Sequence, residues 1–212
     1  MGGRGSSSSG GASGGLNPNN IVSTTSLISA REGSQREVDQ TLTVLRDVEK
    51  RYGVVVEDAE IATLKGAGKR VMAYYDAEGN LAINKSYFDA AKMDAAYDGC
   101  VASGFHPSRG NKTGIEAVTA HEMGHRLTDA IGEKTGRGKW AIDSVANDVV
   151  KQAARNAGYG RNTRQFISKI SGYAKQDNAE ALAEAFADVY CNGARASRES
   201  RAIVDVMNGY FS

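Results

Sequence analysis

The sequence is poor in histidine, cysteine and proline. Its 212 residues include three histidines, two cysteines and two prolines, against a net charge of +1. Cys100 and Cys191 show no CxxC spacing, so we expect two free, buried thiols rather than a disulfide. The nearly neutral charge gives no reason to expect a nucleic acid as partner.

Long apolar runs are also missing. None approaches the roughly 20 residues that a membrane-spanning helix requires, and the N-terminus has no apolar stretch of the signal-peptide type. We therefore expect no membrane partner. The location stays open between the cytoplasm and a virion, with secretion by another route also left open.

What the chain does contain is enough apolar sequence for one folded domain. Hydrophobic residues make up 41% of the chain, which suffices for a core of ordinary size. Gly and Ser occupy 12 of the first 20 positions, and such a segment buries too little apolar surface to offset its conformational entropy. We expect a disordered arm over residues 1–20 and a single domain over residues 21–212.

The hydrophobic pattern predicts an α+β fold with a small sheet followed by a helical half. Glu37, three residues after Ser34, has the spacing of a capping box at the start of the first helix. The predicted order is a helix over 34–52, a strand in "GVVVED", a hairpin formed by "RVMAYYD", the turn "AEGN" and "LAIN", a helical stretch over 86–101, and mainly helices from Thr113 onward.

The run "TGIEAVTAHEMGHRLTDAIG", residues 113–132, contains the most informative motif. Thr113 and Glu116 have the spacing of a capping box, which favours one helix over the whole run. Positions four apart on a helix differ by about 40°, so His121 and His125 point the same way and can share one metal ion. Glu122 lies beside them, as in HExxH zinc hydrolases.

In such a site zinc lowers the pKa of its bound water to about 7 and polarises the substrate carbonyl. The glutamate takes a proton from that water and later hands it to the leaving amine. The competing interpretation is two histidines on an ordinary helix, because short motifs of this kind also arise by chance. A third ligand elsewhere in the chain decides between them. Thr128 and Ile131 occupy the places of the glycine and third histidine of a metzincin, which excludes that class. We expect His106 to be a solvated loop histidine.

An acidic row on a later helix offers the third ligand. Residues 177–193 read "DNAEALAEAFADVYCNG", with Glu180, Glu184 and Asp188 on one stripe. Alternating alanines around the row permit close helix packing. Periodicity does not choose between Glu180 and Glu184, and Glu180 has the spacing to cap its own helix with Asp177. A solvated acidic stripe is the simpler alternative.

Together these segments resemble gluzincin peptidases, and most closely the lethal-factor-like peptidases. That family shares an HExGH core, a tyrosine seven residues before the ligand glutamate and the run "AEAF". Here these are "HEMGH", Tyr173 before Glu180, and residues 183–186. Similar segments occur in metallopeptidase domains of phage structural proteins. The resemblance covers residues 113–190 and implies a zincin-like fold.

The resemblance also assigns roles. It implies that His121, His125 and Glu180 bind Zn²⁺, that Glu122 is the general base, and that Tyr173 donates its hydroxyl to the oxyanion. Glu184 would hold a ligand histidine through its free ring nitrogen. Two further acids remain outside the expected site. They are Asp129, for which support of the site and a purely structural role are both open, and Asp188, which we expect to be structural.

We therefore expect a zinc-dependent endopeptidase that acts on a protein or peptide substrate. By analogy, the edge strand of the hairpin would hold that substrate in an extended conformation. Two alternatives stay open: a virion-associated or assembly protein of a phage that keeps the fold and cleaves little or nothing, and a secreted toxin domain.

Overall fold

The computed structural model describes residues 35–138 and 141–212, and these form seven α-helices and three β-strands. The helices are α1 Gln35–Tyr52, α2 Ala90–Ala102, α3 Gly114–Lys134, α4 Ile142–Asn156, α5 Thr163–Ile167, α6 Asn178–Asn192 and α7 Arg198–Asn208. The strands are β1 Ala59–Ala62, β2 Ala73–Tyr75 and β3 Leu81–Asn84. The predicted α+β class is confirmed, as is the coarse order of a helix, a small sheet and then helices. The predicted arm over 1–20 and the Ser34 cap lie outside the described residues.

The sheet is small and mixed, in the order β1-β3-β2. β1 runs parallel to β3, with Ala59 opposite Leu81, while β2 and β3 form an antiparallel hairpin, with Ala73 opposite Ile83. The "AEGN" turn is where the sequence predicts it. Gly79 adopts φ 101° there, a conformation that favours glycine.

The strand predicted in "GVVVED" is wrong, because β1 begins only at Ala59. Val54 and Val56 are buried, which explains the strand-like apolar pattern. However, the carbonyl of Val55 accepts a hydrogen bond from Arg126 Nε at 2.7 Å. The N–H of Glu57 donates to the hairpin turn, at 3.0 Å from the carbonyl oxygen of Gly79. The segment packs into the core and leads into the sheet, and the carbonyl of its last residue, Asp58, accepts from Leu81 N of β3 at 2.9 Å.

The helix predicted over 86–101 begins later than expected. The side chain of Asp89 accepts from Lys92 N and so caps α2, which starts at Ala90. Both cysteines are free, as expected, but they are partly exposed rather than buried. Cys100 lies in the last turn of α2 and Cys191 in the last turn of α6, next to surface loops. No helix in the described residues is long and apolar enough to cross a membrane.

Helix α3 lies at the centre of the fold, where it contacts α1, α2, α4, α6 and strand β2. Its burial on all sides distinguishes it from an amphipathic surface helix, and its closest neighbour is α6. The two helices that the sequence singles out for chemistry are therefore packed against each other in the core.

Candidate metal centre

The N-terminal capping box fixes the start of α3. The Thr113 side chain accepts from Glu116 N, and the Glu116 side chain accepts from Thr113 N, as predicted. From this start the helix continues without interruption through His121, Glu122 and His125, all of which are buried. The two imidazole rings lie one turn apart, with centroids separated by 5.1 Å.

Helix α6 brings Glu180 to these histidines. Asp177 caps the helix by accepting from Glu180 N at 2.8 Å. The carboxylate of Glu180 reaches towards α3 instead, with Oε2 at 3.2 Å from His121 Nε2 and 3.4 Å from His125 Nε2. The three ligand atoms lie within 4.8 Å of one another, so this buried group could hold a metal ion.

The chemistry of the three donors fits a cation. His121 Nε2 and Glu180 Oε2 are both buried without a hydrogen-bond partner in the described structure, an arrangement that is costly unless something satisfies them. Two imidazole nitrogens and one carboxylate oxygen are a donor set that zinc uses, with a further position left open. One cation placed between the three side chains would satisfy both atoms.

A glycine within the motif allows the two helices to meet. A Cβ built on Gly124 would lie 2.6 Å from the Cα of Ala183, which is closer than nonbonded carbon atoms approach. The backbones of α3 and α6 therefore touch between the histidine pair and the acidic row. This contact explains both the glycine of "HEMGH" and the alanine-rich surroundings of the acidic row.

Glu184 lies one turn beyond Glu180, behind His121. Its Oε1 accepts a hydrogen bond from His121 Nδ1 at 2.8 Å, and its Oε2 accepts from Ser171 Oγ at 2.7 Å. Burial alone would raise the pKa of Glu184, but hydrogen bonds from His106 and His121 lower it to about 2. An ionised carboxylate only accepts, so His121 Nδ1 carries a proton and Nε2 is the ring nitrogen that faces Glu180.

The prediction for His106 is wrong, because this histidine is buried. Its side chain contacts Glu184, with Nδ1 at 2.9 Å from Oε1, and its ring stacks on Tyr97. The loop carrying His106 folds inward because it pairs with the segment before α6, where Gly172 N donates to Gly104 O. Nothing in the local sequence around His106 or Ser171 indicates this long-range pairing, so sequence reasoning finds neither residue.

The ionisable groups of the centre are strongly coupled. Burial raises the pKa of Glu122 above its usual range, although His121 and His125 oppose this. Burial lowers the pKa of His121, but the carboxylates of Glu180 and Glu184 outweigh it and raise the pKa well above its usual value. Burial acts to raise the pKa of Glu180, but the two histidines lower it well below the ordinary range.

The structure places Tyr173 at the same centre. Its ring stacks on that of His121, with centroids 5.6 Å apart, and its backbone N–H donates to Phe105 O at 2.9 Å. Burial, the charge of Glu180 and a hydrogen bond to that carboxylate raise the pKa of the Tyr173 phenol. The hydroxyl therefore stays protonated at neutral pH and faces the metal-binding group.

Two acids near the motif are used elsewhere. Asp129 accepts a hydrogen bond from the Tyr75 hydroxyl at 3.0 Å, which joins strand β2 to helix α3. Asp188 accepts from Asn192 Nδ2 at 2.8 Å and from Ser197 N at 3.0 Å, at the junction of α6 and α7. These hydrogen bonds give both residues structural duties.

Comparison of the chain with protein-family models, with curated proteins and with solved structures finds no match.

Proposed function

We propose that this protein is a zinc-dependent endopeptidase of the gluzincin type with a zincin-like fold. The observation that carries the proposal is the buried group of His121, His125 and Glu180, with Glu122 next to it on the same helix. A metal site that served only for stability would need no adjacent carboxylate of this kind.

Zinc, when bound to these three residues, would polarise the substrate carbonyl and lower the pKa of the attacking water. Glu122 would accept the proton from that water and return it to the leaving amine. Its side chain is 2% exposed, and burial raises its pKa. In the metal-free protein this raised pKa makes the carboxylate a stronger base than an exposed glutamate, which suits this role.

Tyr173 would stabilise the negative charge that develops on the carbonyl oxygen. Because the pKa of its phenol is raised, the group keeps its proton and can donate a hydrogen bond to an oxyanion. Its ring lies against His121, so the donor is held close to the metal-binding residues.

The substrate would lie along strand β2, which is an edge of the sheet. Two hydrogen bonds flank the strand, from Asn84 N to Met72 O and from Asp76 N to Asn80 O. Because bonded and non-bonded pairs alternate along an antiparallel ladder, these two bonds determine which residues of β2 bond to β3. They imply that the N–H and C=O groups of Ala73 and Tyr75 point away from β3, towards the side on which an extended peptide would pair. Met72, Ala73 and Val118 line a small cavity next to Glu122.

The experiment combines zinc content with cleavage of a peptide library, using Glu122→Gln as the matched control. We expect one zinc per chain after dialysis, cleavage by the parent, and loss of nearly all hydrolysis by the variant with zinc retained. Glutamine has nearly the shape of glutamate but does not accept the proton.

A well-folded protein that takes up no zinc would refute the proposal. Zinc binding without cleavage by the parent would favour the alternative of a virion or assembly protein that keeps the site and does not hydrolyse peptides. Variant activity within about tenfold of the parent would show that the base lies elsewhere, because a positioned base contributes about 10²–10⁴-fold.

A further inference from the structure

His106 shares one carboxylate oxygen with a residue of the metal centre. Glu184 Oε1 accepts from His121 Nδ1 at 2.8 Å and from His106 Nδ1 at 2.9 Å. We propose that His106 is a positioning residue, which holds the Glu184 carboxylate in place and thereby fixes the orientation of the His121 ring. This inference rests on the proposed function, because it concerns the same zinc site.

The surroundings of Glu184 give His106 a defined task. Glu184 is 0% exposed, and a buried carboxylate needs a hydrogen-bond donor for each oxygen. Ser171 supplies Oε2, while the two histidines supply Oε1. Without the His106 donor, His121 itself would be the one donor to Oε1 left among the described residues. With one donor fewer, the carboxylate would be held less firmly, and so would the ring that it orients.

The loop that carries His106 is built to hold it there. Gly172 N donates to Gly104 O at 2.8 Å, and Tyr173 N donates to Phe105 O at 2.9 Å. A Cβ on Gly172 would lie 3.0 Å from Gly104 O, so a glycine permits this close pairing. The loop therefore approaches Glu184 and Tyr173 together.

Packing is the competing explanation for the burial of His106. Its ring is nearly parallel to that of Tyr97, with centroids 5.2 Å apart, and it also contacts the rings of Phe105 and Tyr173. An aromatic ring without a donor would satisfy these contacts equally well. The two explanations therefore predict opposite effects for variants that keep only the ring or only the donor.

The test compares His106→Phe, which keeps the ring, with His106→Asn, which keeps an N–H donor at the position of Nδ1. Zinc affinity is measured by competition with a chelator, and thermal unfolding of the metal-free variants is recorded separately. We expect His106→Phe to bind zinc about tenfold more weakly than the parent, at the low end of the cost of losing a partner of a metal ligand. His106→Asn should stay within about threefold of the parent, even where it melts at a lower temperature.

A second comparison asks whether His106 acts through Glu184. In a Glu184→Ala background, His106→Phe should change zinc affinity by less than about twofold, because coupled residues are not additive. A parent protein that binds no zinc would overturn the proposed function and this inference together. A parent that binds zinc, with His106→Phe as tight as the parent or tighter than His106→Asn, would overturn this inference alone.

Discussion

The contact between α3 and α6 can be tested through Gly124→Ala. The added Cβ would lie 2.6 Å from the Cα of Ala183 and 3.3 Å from its Cβ and carbonyl oxygen. Nonbonded carbon atoms prefer about 3.5–4.0 Å, and a backbone atom has no rotamer by which to move away. The two helices must therefore separate by about 1 Å.

The cost can be estimated from two opposing effects. Overpacking of this kind costs about 1–3 kcal/mol, and the upper end applies because the clash is with backbone. Alanine is about 1 kcal/mol more favourable than glycine inside a helix. The net loss in the free energy of unfolding is then about 2 kcal/mol, which for a domain of this size lowers Tm by about 4–8 °C.

Gly99 provides a matched control, because it also lies inside a helix but a Cβ added there would meet no described atom within 4 Å beyond the backbone of its own helix and its chain neighbours. Gly99→Ala should raise Tm by about 2–4 °C, since only the helix preference changes. The assay is calorimetry of the metal-free proteins. If Gly124→Ala melts at or above the parent, as Gly99→Ala should, the close contact of the two helices is refuted.

Gly124→Ala should also weaken zinc binding, because Glu180 lies on one helix and the histidines on the other. A separation of about 1 Å exceeds the roughly 0.2 Å tolerance of metal–ligand distances, so affinity should fall by at least about tenfold. Gly99→Ala should bind zinc like the parent. Equal zinc affinity of Gly124→Ala and the parent would show that the helix spacing does not set the geometry of the centre.

Three further predictions concern single residues of the centre. Glu180→Ala should abolish tight zinc binding in a chelator competition, whereas Glu184→Ala should weaken it by only about 10–100-fold; the opposite ranking would exchange the roles of the two acids. Tyr173→Phe should keep zinc affinity but lower kcat for a peptide substrate by about 10²–10³-fold, as for the loss of one oxyanion donor, and an unchanged kcat would remove that role. The pKa of Glu184 is lowered from 4.5 to about 2, so its contribution to the stability of the metal-free protein is present above pH 4.5 and is lost as the pH falls towards 2. Acid unfolding of Glu184→Gln should lack this contribution, and identical acid unfolding of the parent and the variant would contradict the assignment.

Local sequence was sufficient to predict the elements that carry the site. The capping box at Thr113 and the spacing of His121 and His125 predict one helix with both rings on one side, because helical periodicity depends only on near neighbours. For the same reason, Asp177 as a cap predicts the start of α6, and the "AEGN" turn predicts the hairpin. The misplaced first strand shows the limit of this approach: buried valines produce a strand-like pattern in a segment that leads into the sheet without itself being a strand.

Only the tertiary structure decided which acid faces the histidines. Glu180 and Glu184 share a helical stripe, so periodicity treats them alike. The crossing of α3 and α6 at Gly124 and Ala183 places Glu180 next to Nε2 of both His121 and His125, and Glu184 next to Nδ1 of His121. The burial of His106 likewise depends on a loop pairing with residues about 70 positions away along the chain, from Gly172 N to Gly104 O and from Tyr173 N to Phe105 O. Such contacts are determined by the packing of whole elements, and packing leaves no periodic trace in the sequence.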